Sequence, residues 1–385
     1  MSWIIKKLGD VLDIQNGYAF DSKLFSNEGG MPLIRIRDIK NGVGTQTRYI
    51  GEYDNKYVVK KGDLLIGMDG EFGCYEWKDG EALLNQRVCR LQNFQHNIFP
   101  KFLLYGINSY LKAIEDVTGY ITVKHISSKQ IASIEFPLPS IEIQQKIVAK
   151  LDAMFAEIDK ATSAAEANAN NAETLWQSTV NKVISDFSNI KKVNTFSDFA
   201  YIESKLVDPK VDTHQNLIHV GAGNIASNTG ELIELKTAKD EKLISGKFLF
   251  DSNTILYSKI RPYLKKVVRP TFDGLCSADV YPLKCREGKI TKNFLFYLLL
   301  TNDFTDYAIS GSERAGMPKV NRDHLFSYKV KLPPLAEQNR VTNLIDMVYG
   351  EVKRLDGIYK KKAHELSILK QSILQQAFNG ELVKD

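Results

Sequence analysis

The chain has 385 residues, of which 43% are hydrophobic, 25% charged and 10% aromatic, and a net charge of +5. That balance excludes wholesale disorder and the collagen-like and disulfide-scaffold classes, and the length predicts two or three domains. The longest apolar run, Phe294 to Leu300, is seven residues, far short of the roughly 20 that a membrane helix needs, so no membrane association is expected.

In chain order, Met1–Leu12 carries Lys6, Lys7 and Asp10 and lacks the apolar stretch of a signal peptide. Leu33–Ile36, Asp63–Ile66 and Arg87–Leu91 are short, β-rich and bounded by turn formers, which predicts strands. Phe102–Ile114 predicts a helix, with Gly119 beyond its end. After Pro139 and the capping residue Ser140, no proline or glycine occurs before Phe187, which predicts one long helix from Ile141. The pattern then starts again: strands at Leu217–Val220 and Thr254–Tyr257, a helix over Phe294–Ala308 followed by Gly311, and a second long helix after Pro334. Cys74, Cys89, Cys276 and Cys285 form no C-x-x-C pair and read as reduced, structural thiols of an intracellular, cytoplasmic protein.

The restart is a repeat. Leu138–Ile147 matches Leu332–Val341 at one fixed offset, and Asp152 with Asp346 and Glu157 with Glu351 continue it. Weaker echoes keep the same order: Leu33–Ile36 with Leu217–Val220, Gly62–Ile66 with Asn253–Tyr257, Phe102–Tyr105 with Phe294–Tyr297, and Ile126-Ser127 with Val320-Asn321, each just after a lysine (Lys124, Lys319). In both long helices apolar residues recur at alternating steps of four and three, from Ile147 to Leu175 and from Val341 to Ile373, with Asn168 and Lys362 as polar layers. Such a seam predicts a coiled coil. A 47-residue helix is about 70 Å long at 1.5 Å per residue, so the second globular part should start far from the first and the second helix should run back antiparallel. The expected fold class is α+β: two tandem globular α+β domains, 1–139 and 188–333, and two spacer helices, 140–187 and 334–385, packed as an antiparallel coiled coil with pseudo-two-fold symmetry.

Charge is uneven, −3 over residues 140–187 and +6 over 188–333. Cations cluster with aromatics: Arg35, Arg37 and Lys40; Lys259, Arg261, Tyr263, Lys265, Lys266 and Arg269; Lys319 and Arg322. Such side chains grip phosphates, and arginine reads guanine edges, so the run Lys259–Arg269 predicts nucleic-acid contact. Catalytic constellations are missing. Gly221-Ala222-Gly223-Asn224-Ile225-Ala226 fits a loose dinucleotide-binding pattern, but Ser227-Asn228-Thr229-Gly230 is turn chemistry where a helix is needed. There is no P-loop and no G-x-S-x-G, and the six histidines make no metal-ligand spacing. His219 reads as a packed or surface histidine, and binding is expected rather than turnover.

A proline-led helix with the pattern [LP]-P-x-x-x-x-Q at the ends of two tandem domains, together with the strand Gly62–Gly67, resembles the specificity subunit of a Type I restriction-modification system, over essentially the whole chain. The resemblance implies that each globular part is a target recognition domain reading one half of an asymmetric, bipartite double-stranded DNA sequence. It implies that the helices set the half-site spacing and dock two methyltransferase subunits around Gln144, Gln145, Lys146, Gln338, Asn339 and Arg340, with restriction subunits in the complete enzyme. The chain itself would hold no cofactor and no metal, with S-adenosylmethionine expected only on the methyltransferase. Expected DNA contacts are Arg35, Arg37, Lys40, Lys124, Lys259, Arg261, Lys265, Lys266, Lys319 and Arg322. The competing readings are a coiled-coil protein-interaction adaptor that does not bind DNA, and a self-sufficient methyltransferase or nuclease.

Overall fold

The computed structural model describes residues 3–43, 45–118, 124–187, 189–312 and 318–383. Gly119, the expected helix stop, lies outside them. The long helices run over Ile141–Ser185 and Leu335–Phe378. Two units form: Met1–Ala164 with Lys362–Asp385, and Ala165–Lys361. Each unit therefore takes a part of both long helices.

In the first unit a four-stranded antiparallel sheet has the order Asp13–Asn16, Val88–Gln92, Leu64–Gly67, Gly73–Glu76. A five-stranded sheet runs Phe25–Ser26, Arg48–Tyr49, Met31–Ile34, Ala82–Leu84, Val58–Val59, with Met31–Ile34 parallel to Ala82–Leu84. The helix Pro100–Val117 buries Phe102, Leu103, Ile107 and Leu111. Ile4–Lys7 pairs with Glu135–Leu138, so the strand before Pro139 is tied down where the long helix starts. The two long helices pack antiparallel in this unit. Lys150 Nζ donates to Leu382 O at 2.9 Å, while Lys370 Nζ reaches Asp159 at 2.8 Å. Phe378 lies 4.9 Å from the Phe102 ring, and Gly106 is what allows it in, since a Cβ there would meet Phe378 at 2.4 Å.

The second unit repeats this plan. Its four-stranded sheet is Ala200–Ile202, Val280–Cys285, Ile255–Ser258, Val267–Val268. Its five-stranded sheet also has one parallel pair, Ile218–Val220 with Gly274–Cys276. The outermost strand differs. Leu206–Val207 extends the edge beyond Lys247–Phe250, whereas Phe25–Ser26 of the first unit lies at the opposite edge. The expected helix over Phe294–Ala308 is two helices, Lys292–Leu300 and Asn302–Ser310, because Thr301 turns extended and its hydroxyl caps the second. Gly311 follows the second helix as expected.

The polar layers are corrected: Asn168 and Lys362 are exposed, as is Leu175. A straight helix drifts about 20° per heptad against a 3.5-residue repeat. Beyond Ala172 the buried positions are Trp176, Val180 and Ile184, drifting one and then two places along from the expected seam. Trp176 packs on Tyr349 with ring centroids 5.1 Å apart.

Among the described residues, no helix is long and apolar enough to cross a membrane, and no group of three or more His, Cys, Asp or Glu is placed to hold a metal ion. The segment Gly221–Ala226 is a short 3-10 turn with no helix after it. Its Asn224 side chain accepts from Gly221 N–H at 2.9 Å. All four cysteines are free. Burial pushes Cys89 and Cys276 up to about 12 and Cys285 to about 11, so the thiols are held neutral.

A candidate nucleic-acid interface repeated in both units

The central strand of each four-stranded sheet runs on past its end between two flanking segments. In the first unit Leu64–Gly67 continues as Met68-Asp69-Gly70. Met68 N–H donates to Arg87 O at 3.0 Å, Gly70 N–H to Lys124 O at 2.9 Å, and Ile126 N–H to Met68 O at 2.9 Å. In the second unit Ile255–Ser258 continues as Lys259-Ile260-Arg261. The same three bonds recur: Lys259 N–H to Asp279 O at 3.0 Å, Arg261 N–H to Pro318 O at 2.9 Å, and Val320 N–H to Lys259 O at 2.8 Å. The flanking segments are pinned locally. Ser127 and Gln130 form a capping box directly after Ile126, and Asn321 accepts from His324 N–H at 2.8 Å directly after Val320. The backbone platform is thus duplicated bond for bond.

Its side chains are not. In the second unit Lys259, Lys319 and Arg322 share one neighbourhood. Burial holds the Lys259 amine below its usual range, and the Lys319 and Arg322 charges add to this while Asp279 opposes it. Lys259 Nζ also sits 5.2 Å from the centre of the Tyr281 ring. Mutually repelling cations favour a bound anion. Arg261 is exposed, at φ +50°, in a left-handed conformation that costs a non-glycine residue energy. In the first unit the platform centre is Asp69, with a side chain 12% exposed, flanked by Arg87 and His125. Arg87 Nη1 donates to Asp69 Oδ2, and His125 Nδ1 lies 2.6 Å from Asp69 Oδ1. Burial pushes the Asp69 carboxyl up, but the hydrogen bonds from His125 and Arg87 outweigh it and hold the group below the usual carboxylate range. Lys40 reaches Glu71 of the next turn at 3.4 Å, Arg37 is 69% exposed, and Arg35 is half-buried with its guanidinium 5.9 Å from the Phe25 ring centre.

The fold gives several of the expected contacts partners within the chain. Lys124 turns inward, donating to Glu115 O at 2.8 Å at the end of the helix Pro100–Val117, where the helix dipole stabilises a cation. The residue that matches Lys319 in the platform is His125, one place along. Lys266 Nζ donates to Ala222 O at 2.7 Å, and Lys265 Nζ to Asn302 Oδ1. Arg269 is internal. It donates to Asp346 and to Asn293 at 2.8 Å and lies over the rings of Phe296 and Tyr297. Gln144 and Gln338 are fully buried and spent inside their units. Gln144 accepts from Phe99 N–H and donates to Asn97 O and Pro139 O. Gln338 accepts from Thr291 N–H and donates to Lys289 O and Pro333 O. Such amides lock the helix start onto its domain and cannot face a partner. Gln145, Lys146, Asn339 and Arg340 are exposed, although Arg340 is held by both oxygens of Glu337. Arg87, Asp69 and His125 were absent from the expected set, although the polar turn Asn85-Gln86-Arg87 between two apolar strands is a visible signal.

The two α+β units thus carry one backbone platform twice, with unlike side chains on it. The model of the Type I restriction modification DNA specificity domain matches residues 2–168 and 180–357, and the chain belongs to that family. The Type I restriction enzyme EcoDI specificity subunit of Escherichia coli is 28% identical over 99% of this chain and 89% of its own length. The EcoBI specificity subunit of the same species is 26% identical over 99% and 86%. Among solved structures, a chain from a study of complex assembly and conformational transition of the type I R-M system has a TM-score of 0.72 at 17% identity, covering 99% of this chain and 98% of its own. The HsdS subunit from Thermoanaerobacter tengcongensis has a TM-score of 0.53 at 17% identity, covering 99% and 97%. The chain is therefore a non-catalytic, DNA-recognising specificity subunit with two tandem target recognition domains. Subunits of this family assemble with methyltransferase and restriction subunits on DNA, and the adaptor reading without DNA binding has no support.

Proposed function

We propose that each unit presents its platform to one half of a split DNA sequence, with Lys259, Arg261, Lys319 and Arg322 gripping the duplex from the second unit and Arg37 and Lys40 from the first. The observation that carries this reading is the platform itself: one backbone arrangement, found twice, with different side chains on it, is what a reader of two unlike half-sites needs. The long helices contribute to both units, so their length sets the unread gap between half-sites. Two methyltransferase subunits dock near the two helix starts, around Gln145 and Lys146 and around Asn339. Next to the first of these, a groove of about 610 Å³ is lined by Trp3, Ile4, Pro139 and Glu142, with Ile4 and Ile5 mostly exposed on their strand. S-adenosylmethionine and the base pocket belong to those partners, and the assembly works in the cytoplasm.

The test is to sequence methylated genomic DNA from cells with and without this gene. A split, asymmetric motif should vanish on deletion. A methylation pattern unchanged by deletion would refute the reading.

A further inference from the structure

We propose that Arg87 reads a guanine edge in the half-site of the first unit, with Asp69 as its positioning residue and His125 anchoring Asp69 from the other side. The inference deepens the proposed function and rests on it. Arg87 is 60% exposed at the side chain and follows the exposed Gln86 on the turn Asn85-Gln86-Arg87. Among the described residues its side-chain partner is Asp69. The ionised carboxylate only accepts, so His125 Nδ1 is the donor on the second oxygen. Asp69 is thereby gripped from two sides and presents Arg87 in one orientation. One Nη bonded to the carboxylate leaves further N–H groups of the planar fork for a bidentate pair with guanine O6 and N7.

The charge balance selects a base over a phosphate. A phosphate-gripping site gathers cations, as Lys259, Lys319 and Arg322 gather in the second unit, where their mutual repulsion outweighs the opposing charge of Asp279. Arg87 sits against a carboxylate that repels phosphate oxygens and tolerates the neutral edge of a base. The matched register of the second unit carries Asp279, whose exposed carboxylate can only accept. The two platforms therefore cannot read the same base at this position.

The experiment uses the full chain in complex with its methyltransferase partners. The probes are fluorescent duplexes carrying the methylated split motif and every single base-pair substitution of it. In the wild type, replacing one G·C pair in one half-site should weaken binding by roughly 5- to 150-fold, the factor that corresponds to about 1–3 kcal/mol. Arg87→Ala should abolish that discrimination and Arg87→Lys, which lacks the planar fork, should weaken it, and both should leave the other half-site's preferences intact. Asp69→Asn should weaken the same single preference. Thermal melting of each complex reports folding, and Arg87→Lys and Asp69→Asn carry the test if Arg87→Ala does not fold. An equal loss on every sequence, or no loss of this one preference in Arg87→Ala and Asp69→Asn, would overturn the proposal. A wild-type complex with no preference for any split duplex would overturn the proposed function and this inference with it.

Discussion

The two units keep the same polar locks at the start of each long helix and differ in the charged groups set around them. Both lock the start of a long helix with a buried glutamine, Gln144 or Gln338. Both use an aspartate of that helix to accept from a tyrosine of the preceding helical segment, Asp152 from Tyr105 and Asp346 from Tyr297. The cation that joins each aspartate differs. Lys101 comes from the same segment as Tyr105, while Arg269 comes from the loop after the strand Val267–Val268. At the platform, the first unit neutralises its charges and the second accumulates them. Positions that hold the fold have been kept, and positions that face outward have diverged, as expected when one scaffold must read two sequences.

The largest effect should come from the glutamines. Gln144→Ala leaves Phe99 N–H and the carbonyls of Asn97 and Pro139 without this partner, and Gln338→Ala does the same to Thr291, Lys289 and Pro333. Each should cost about 3 kcal/mol or more, as several buried polar groups lose a bond at once. Hydrogen exchange should show the loss in the substituted unit, at Asn97–Leu103 or at Lys289–Leu295. A loss below about 1 kcal/mol would mean the amides do not hold the helix starts.

The aspartates should separate the units. The side chains of Arg269 and Asp346 are 27% and 35% exposed, and those of Lys101 and Asp152 are 43% and 39% exposed. Asp346→Ala strands a guanidinium packed on two rings and should cost about 1–3 kcal/mol. Asp152→Ala strands a lysine that water can reach and should cost about 1 kcal/mol or less. Urea denaturation of the two variants decides it, and equal losses would erase the distinction.

The next difference is in DNA affinity. Lys319→Ala with Arg322→Ala should weaken binding across all sequences and lower the salt slope by about 2. An unchanged slope would remove these residues from the phosphate contacts.

What the sequence revealed and what it hid follow a physical line. Patterns that depend on neighbours within one helix or strand were legible, including both long helices, their repeat and the strands. Leu33–Ile36 and Leu217–Val220 read as matching strands, though not as the parallel members of their sheets, and their pairing sets Val220 against Ile34 rather than Ile36. A shift of two leaves every side chain on its expected face. The direction of a long cation was hidden, because Lys124 and Lys319 look alike in sequence and only the fold turns one inward. The glutamines repeat visibly in the sequence, but periodicity alone does not distinguish a surface amide from a buried one that satisfies a helix start. The Arg87–Asp69–His125 group joins three segments separated by 18 and 56 residues, a distance over which no local pattern reaches.

The smallest expected effect concerns acid. His219 is 7% exposed on the parallel strand of the second unit, at the register where the first unit carries the buried Leu33. Burial lowers its pKa; Glu241, at 2.8 Å from Nδ1, opposes this, and the Lys247 charge adds to the lowering. The folded unit therefore favours neutral imidazole, while the unfolded chain takes up its proton near the ordinary value of 6.5. Above that pH neither state is protonated and His219 makes stability independent of pH. As pH falls below it, the unfolded chain gains the proton first and stability drops, until the folded state's lower pKa is also passed. His219→Leu, which installs the first unit's residue, should flatten this part of the profile and leave stability at pH 7.5 within about 1 kcal/mol. Native-state hydrogen exchange of Ile218–Val220 against Met31–Ile34, at pH 7.5 and 5.5 and corrected for intrinsic rates, reads both units in one sample. The wild type should lose protection on acidification at Ile218–Val220 and the variant should not. An equal loss in both would place the acid sensitivity elsewhere in the second unit.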